Sequence, residues 1–197
     1  AYVILTVVLL LIFLIVGYPA FIAVFAHLNP FKFAKKITRV AVFGFSTSSS
    51  AATLPLNVKT TVEELGVDEK IASFVLPLGM TINMNGTAIM QVIATLFIAG
   101  CAGYSISFTQ LVVIALLALI ASAGTPAAPG SGAIILFTIL SGLGYVNDAA
   151  MLAYSLILAI NRPIEMLVTA LNVVGDSATS IYVAKSEGVL NEDVYNA

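Results

Sequence analysis

The sequence predicts an all-α membrane protein: transmembrane helices with two oppositely oriented re-entrant helical hairpins, together forming an inverted repeat. Three observations predict it. Apolar residues make up 60% of the 197-residue chain and charged residues 9%, with a mean hydropathy of +1.07, values of the membrane class. Two pairs of short apolar runs turn back through small-residue tips, Ser46 to Pro55 and Gly124 to Gly132. Such backbone is tolerated at membrane depth only where protein buries it or it lines a polar cavity. Finally, Lys32, Lys35, Lys36, Arg39, Lys59, Lys70 and Lys185 fall in segments that this tracing puts on one side. The positive-inside tendency makes that side cytoplasmic.

Composition also excludes. A net charge of −2 offers no basic face for nucleic acid. Cys101 and His27 are each alone in their type, so a disulfide framework and a zinc cluster are ruled out. Cys101 reads as a small packing residue and His27 as an interfacial one.

The elements follow in order. Residues 1–28 read as a transmembrane helix that stops at Asn29-Pro30. It lacks a basic leader and a small-residue cleavage site, so it is no signal peptide. A chain that starts inside such a helix reads as a piece of a longer protein. Residues 31–66 form the first hairpin, entering from the cytoplasm, with limbs Ile37 to Phe45 and Leu54 to Leu65. Each limb has roughly ten residues, half of what a span needs. Residues 70–104 can span, yet Asn83-Met84-Asn85-Gly86 interrupts them with an unwound turn. Residues 107–145 make the second hairpin, entering from outside. Residues 147–185 are one polar final span, and 186–197 a surface tail.

The final span carries the chemistry. At about 100° per residue, Asn161, Glu165, Thr169, Asn172 and Asp176 share an arc of roughly 80°. A carboxylate at bilayer depth costs about 2.5–3.5 kcal/mol even on insertion scales. Two on one stripe need cations or donors: Arg162, a substrate ammonium or Na⁺. The bland alternative is that Glu165 only pairs with Arg162 at i,i+3. Asn172 to Asp176 supply hard oxygens, which suit an alkali cation. The serine tip adds hydroxyls and N–H groups at a helix N-terminus, suited to an anion. Gly130-Ser131-Gly132 fails as a nucleotide loop, lacking a following Lys and a preceding strand. No base–nucleophile pair is present, and an intramembrane aspartyl protease would need a second Asp in another span. The chain therefore reads as no enzyme.

Ser48-Ser49-Ser50 with Thr53-Leu54-Pro55, then Asn83 to Thr87, the Gly124-to-Gly132 tip and Asn172-Val173-Val174-Gly175-Asp176 resemble the dicarboxylate/amino acid:cation symporters. These are carriers of glutamate, aspartate and neutral amino acids, and the resemblance runs from Tyr2 to about Glu187. It implies the C-terminal half, with five earlier spans missing, in a multi-pass protein of the plasma or inner membrane. It implies a homotrimer in the full-length form, and a transport domain that moves like an elevator with the outer hairpin as gate. Ser49, Ser50 and Thr87, with Ala127, Ala128 and Gly132 of the second tip, would hold the substrate. Asn172 would bind its carboxylate and Glu165 its ammonium, beside Val168 and Thr169. One Na⁺ would take carbonyls of Gly79, Asn83 and Asn172 and the Asp176 carboxylate. A second would take carbonyls of Thr81, Ser122, Ala123 and Thr125.

Departures from the family pattern refine this. Val168 stands where acidic-substrate carriers place an arginine, so a neutral amino acid is favoured, because a side-chain carboxylate would go unpaired. Arg162, about a turn and a half earlier, keeps acidic substrates in play. Asn85 replaces the aspartate of a third sodium site, Asn161 replaces another aspartate, and Pro163 adds a kink. Gln91 replaces a glutamate tied to proton and potassium coupling. The expectation is a sodium-coupled amino acid symporter. The alternatives are a proton-coupled amino acid or C4-dicarboxylate symporter and, from another class, an ion channel.

Overall fold

The computed structural model describes residues 1–197, all of them in helices and the turns that join them. Helix α1, Tyr2–Ala26, is not uniform. It widens into π turns at Phe13–Gly17 and Ile22–Ala26, on either side of Tyr18-Pro19. Proline brings no N–H and crowds the preceding turn, so the ladder shifts register around it. His27, in the left-handed region at φ 55, ends the helix and is exposed.

The first hairpin is α2, Pro30–Thr47, and α3, Ser50–Glu63. Asn29 caps α2 by accepting from the Phe31 and Lys32 N–H groups, and Pro30 needs no cap. Ser48, at φ 50, stops α2, and Ser49 caps α3 by accepting from Ala52 N–H. The tip is thus Ser48 and Ser49, and Pro55 lies inside α3. The limbs are longer than the ten residues expected, 18 and 14. Helix continues through the amphipathic basic turns, which hydropathy alone leaves out.

Helices α4, Glu69–Ile82, and α5, Asn85–Cys101, are separated at Asn83-Met84, where the interruption was expected. The second hairpin is α6, Phe108–Ala123, opened by a Ser107/Gln110 capping box, and α7, Ser131–Gly142. The expected single span over 147–185 is instead two helices, α8, Asp148–Ile160, and α9, Arg162–Ser186, parted at Asn161. Pro163, in the first turn of α9, has no N–H to carry the ladder across. By length and composition three stretches can cross a membrane: Tyr2–Ala26, Glu69–Cys101 and Arg162–Ser186.

Helix α9 is the centre, packed against α1 to α5 and α8. Polar and small along much of its length, it would be a poor lipid-facing helix, and inside the protein its polar groups find partners. Asn57 Nδ2 donates to Val173 O at 3.0 Å and Ser177 Oγ to Asn57 Oδ1 at 2.5 Å. A side chain at Gly44 would come within 2.9 Å of Val173, so glycine permits the close approach of α2. Opposite in character, α1 leaves Ile4, Ile15, Val16 and Val24 exposed, an apolar outer face.

The tail folds back as α10, Glu192–Asn196. Tyr195 is fully buried, and its hydroxyl donates to Asn29 O at 2.8 Å. Lys36 Nζ donates to Glu64 O at 2.9 Å and to Val194 O at 2.7 Å, so one lysine fastens tail and hairpin base together. Cys101 is exposed rather than packed, because α5 ends there and the chain turns outward.

Candidate functional site: a cavity between two hairpin tips

The two tips touch. Ser49 Oγ donates to Ala127 O at 3.0 Å, and Ala51 N–H reaches the same carbonyl at 3.5 Å. Beneath them lies a narrow, partly open cavity of about 30 Å³. Of the residues expected to hold a substrate, Ser50, Thr87, Ala127, Ala128, Gly132, Glu165, Val168, Thr169 and Asn172 all line it. Ser49 is not among them; it bridges the tips instead. Ser48, Met84, Met90, Pro126, Gly130 and Ser131 also line the cavity and were missed. The tip residues were visible in the sequence as neighbours of those chosen. Nothing local distinguished the two methionines from packing residues.

Each side chain has a local reason for its position. The break after α4 frees the first N–H groups of α5, and Asn172 Oδ1 accepts one, from Gly86, at 2.8 Å. Its Nδ2 donates to Thr87 Oγ1 at 3.2 Å, so Asn172 joins α9 to the break. A Cβ at Gly86 would meet Val168 O at 2.9 Å, which is why this turn carries glycine. Thr169 Oγ1 donates back to Glu165 O at 3.0 Å, an intrahelical bond.

Glu165 is buried, with two partners. Its Oε1 accepts the Ala133 N–H in the first turn of α7 at 3.2 Å, and its Oε2 lies 3.9 Å from Arg162 Nη1. The Arg162 pairing named in the sequence is therefore present, but Glu165 also reaches the second hairpin. Asn161, buried at the break, accepts from the Tyr2 hydroxyl at 2.6 Å. Gln91 Nε2 donates to Gly132 O at 3.1 Å.

A second polar centre surrounds Asp176, which is buried with no basic group in reach. Asn83 Nδ2 donates to its Oδ1 at 2.8 Å and faces Asn172 O at 3.4 Å. Gly79 lies so near that a Cβ there would fall 2.6 Å from Oδ1. Gly79, Asn83 and Asp176 line a shared cavity, with Asn172 O adjoining through Asn83. The Asp176 carboxylate is thus buried without a counter-charge, with the Asn83 amide as its hydrogen-bond donor. The other set is more dispersed: Ser122, Ala123 and Thr125 share the last turn of α6 and its exit, where Thr125 N–H bonds Ser122 O at 2.9 Å. Thr81 sits on the exposed last turn of α4. Asn85 donates to the Tyr18 hydroxyl at 3.2 Å, a neutral pair where the family pattern has a carboxylate.

Two helical hairpins thus meet at their tips over a polar cavity, against a central helix that carries buried carboxylates. Residues 1–186 match the sodium:dicarboxylate symporter family, and the chain belongs to it. Its relatives include an excitatory amino acid transporter of Caenorhabditis elegans, 35% identical over 164 residues, 83% of this chain and 32% of that protein. Human excitatory amino acid transporter 2 is 37% identical over 162 residues, 81% of this chain and 28% of its own length. Human excitatory amino acid transporter 5 is 36% identical over 149 residues, 76% and 26% respectively. The chain spans about a third or less of the length of these relatives.

Proposed function

We propose that the chain is the transport-domain half of a sodium-coupled amino acid symporter of the cell membrane, with a neutral amino acid preferred over an acidic one. The observation that carries this is the cavity under the two tips, with Glu165 on one wall and the buried Asp176 carboxylate about three turns further along the same face of α9. In this reading Glu165 takes the substrate ammonium, while Asn172 and the hairpin N–H groups take its carboxylate. Ser50, Thr87 and Thr169 add hydroxyls around it, and Ala127, Ala128 and Gly132 close over it.

Sodium supplies the charge that Asp176 lacks, through Gly79, Asn83, Asn172 and Asp176, with the second ion at Thr81, Ser122, Ala123 and Thr125. Cation and amino acid then stabilise one closed form, the coupling that symport needs. The hairpins enter from opposite faces, and full-length copies assemble as trimers within which this half moves as an elevator. Val168 supports the neutral substrate, because it puts an alkyl group where a side-chain carboxylate would need a cation. One observation favours a second reading: the Arg162 guanidinium, half exposed beside Glu165, is a cation for an acidic amino acid.

The test is a thermal-shift series on full-length protein with each common amino acid, with and without NaCl against choline chloride. Stabilisation by small neutral amino acids that grows with sodium is expected. A sodium-independent response overturns the coupling. Stabilisation by glutamate or aspartate alone overturns the neutral preference and installs the Arg162 reading.

A further inference from the structure

We propose that the base of the first hairpin is a peptide socket, filled by the chain's own residues 189–197, and that this docked strap holds the hairpin's two limbs together. The proposal goes beyond the transport reading and does not rest on it. The strap lies past residue 186, where the family match ends. Of residues 187–197 only Tyr195 is buried. Helix α10 has five residues, too few to stand alone in water. Its shape is therefore borrowed from the surface it lies on.

That surface offers a matched set of groups. Lys36, on α2, sits where two helix ends converge. Its Nζ donates to Glu64 O, at the C-cap of α3, at 2.9 Å. It also donates to Val194 O and Tyr195 O, in the last turn of α10, at 2.7 and 2.9 Å. Carbonyls at helix ends lack intrahelical partners and carry the negative pole, so an ammonium suits both ends. All three ammonium donors are used, two of them on the strap. Lys32 Nζ donates to Asn196 O, the Tyr195 hydroxyl to Asn29 O at 2.8 Å, and Asn191 N–H to Gly66 O at 2.7 Å. Lys185 pairs with Glu192, returning the strap to the end of α9. With the strap undocked, Lys36 keeps one acceptor of three, and its flexible stem no longer fixes the ammonium over Glu64.

The test is hydrogen exchange read by mass spectrometry on the full-length protein. The amides of Glu64, Leu65 and Val67, bonded to Thr60 O and Thr61 O at 3.0 to 3.1 Å, report on the hairpin base. Tyr195→Ala should speed exchange over residues 60–67 about tenfold or more, the worth of one charge-assisted bond. Lys36→Met, which keeps the apolar stem, should do the same, with no further gain in the double variant. Exchange over Asn85–Cys101 should keep its wild-type rate in each. In protein shortened after Gly188, an added synthetic peptide of residues 189–197 should restore slow exchange at 60–67, and the same peptide carrying Tyr195→Ala should not. Unchanged exchange in Tyr195→Ala, a rise spread evenly along the chain, or additive effects of the two changes overturn the strap. A peptide without effect overturns the socket. None of these readings involves sodium or an amino acid, so the transport reading stands or falls separately.

Discussion

Asn83 donates its side-chain N–H to the Asp176 carboxylate across 2.8 Å, tying the break between α4 and α5 to the central helix. The bond joins the polar break in the helix to a carboxylate that has no cation of its own. Either group alone would be costly at bilayer depth. Together each satisfies part of the other's hydrogen-bonding need.

Asp176→Asn should remove the sodium response while leaving the fold intact. The amide oxygen still accepts from Asn83, so packing is kept, but the charge that attracts the ion is gone. Sodium-induced thermal stabilisation of the full-length protein should fall, with apparent sodium affinity weaker by about tenfold or more, roughly 1.4 kcal/mol. Undiminished sodium stabilisation would count against Asp176 as ligand.

Gly79→Ala tests the same centre by shape rather than charge. The new methyl would lie 2.6 Å from Asp176 Oδ1, so the carboxylate must turn away. Overpacking of this kind costs about 1–3 kcal/mol. Sodium titrations should weaken more than the thermal midpoint in choline falls; a loss confined to the midpoint would make Gly79 a packing residue only.

Val168→Arg should reverse substrate charge preference. Val168 lines the cavity wall one turn along α9 from Glu165. A guanidinium there gives a side-chain carboxylate a bidentate partner. In thermal-shift competition, aspartate or glutamate should gain and small neutral amino acids lose, each by about tenfold. An unchanged order would remove position 168 from the specificity determinants.

Tyr195→Ala should destabilise the base of the first hairpin by about 3–5 kcal/mol, as for other large aromatics deleted from a core. Loss of the tail contact would also release Lys36 from the Val194 carbonyl. Burial pushes the Tyr195 phenol up to about 12, above its ordinary 10.0. The unfolded phenol ionises first, so its contribution is complete below pH 10 and is lost as pH climbs towards 12. The stability gap between wild type and Tyr195→Phe, followed by chemical denaturation, should narrow over that window.

Much of this arrangement was readable in the chain. The interruption at Asn83-Met84 and both tips announced themselves as small or amide residues inside apolar runs, and the inward stripe of Glu165, Thr169, Asn172 and Asp176 followed from helical period alone. All four are buried, as the stripe requires. The division at Asn161 was read only as a kink, because apolar residues continue on both sides and hydropathy is blind to a missing N–H. The limb lengths of the first hairpin were underestimated for a related reason: α2 starts in basic residues that hydropathy counts as loop.

What the sequence determined by itself is local: which stretches are helical, where the ladder must stop, and which face of the last helix is polar. Each follows from spacing over a few turns. Tertiary structure alone decided that Ser49 meets Ala127, that Glu165 takes the Ala133 amide as well as Arg162, and that Tyr195 docks beside Asn29. These pairs join residues far apart in the chain, or choose among several nearby donors. Their geometry comes from how the helices pack, and no periodicity in the sequence records it.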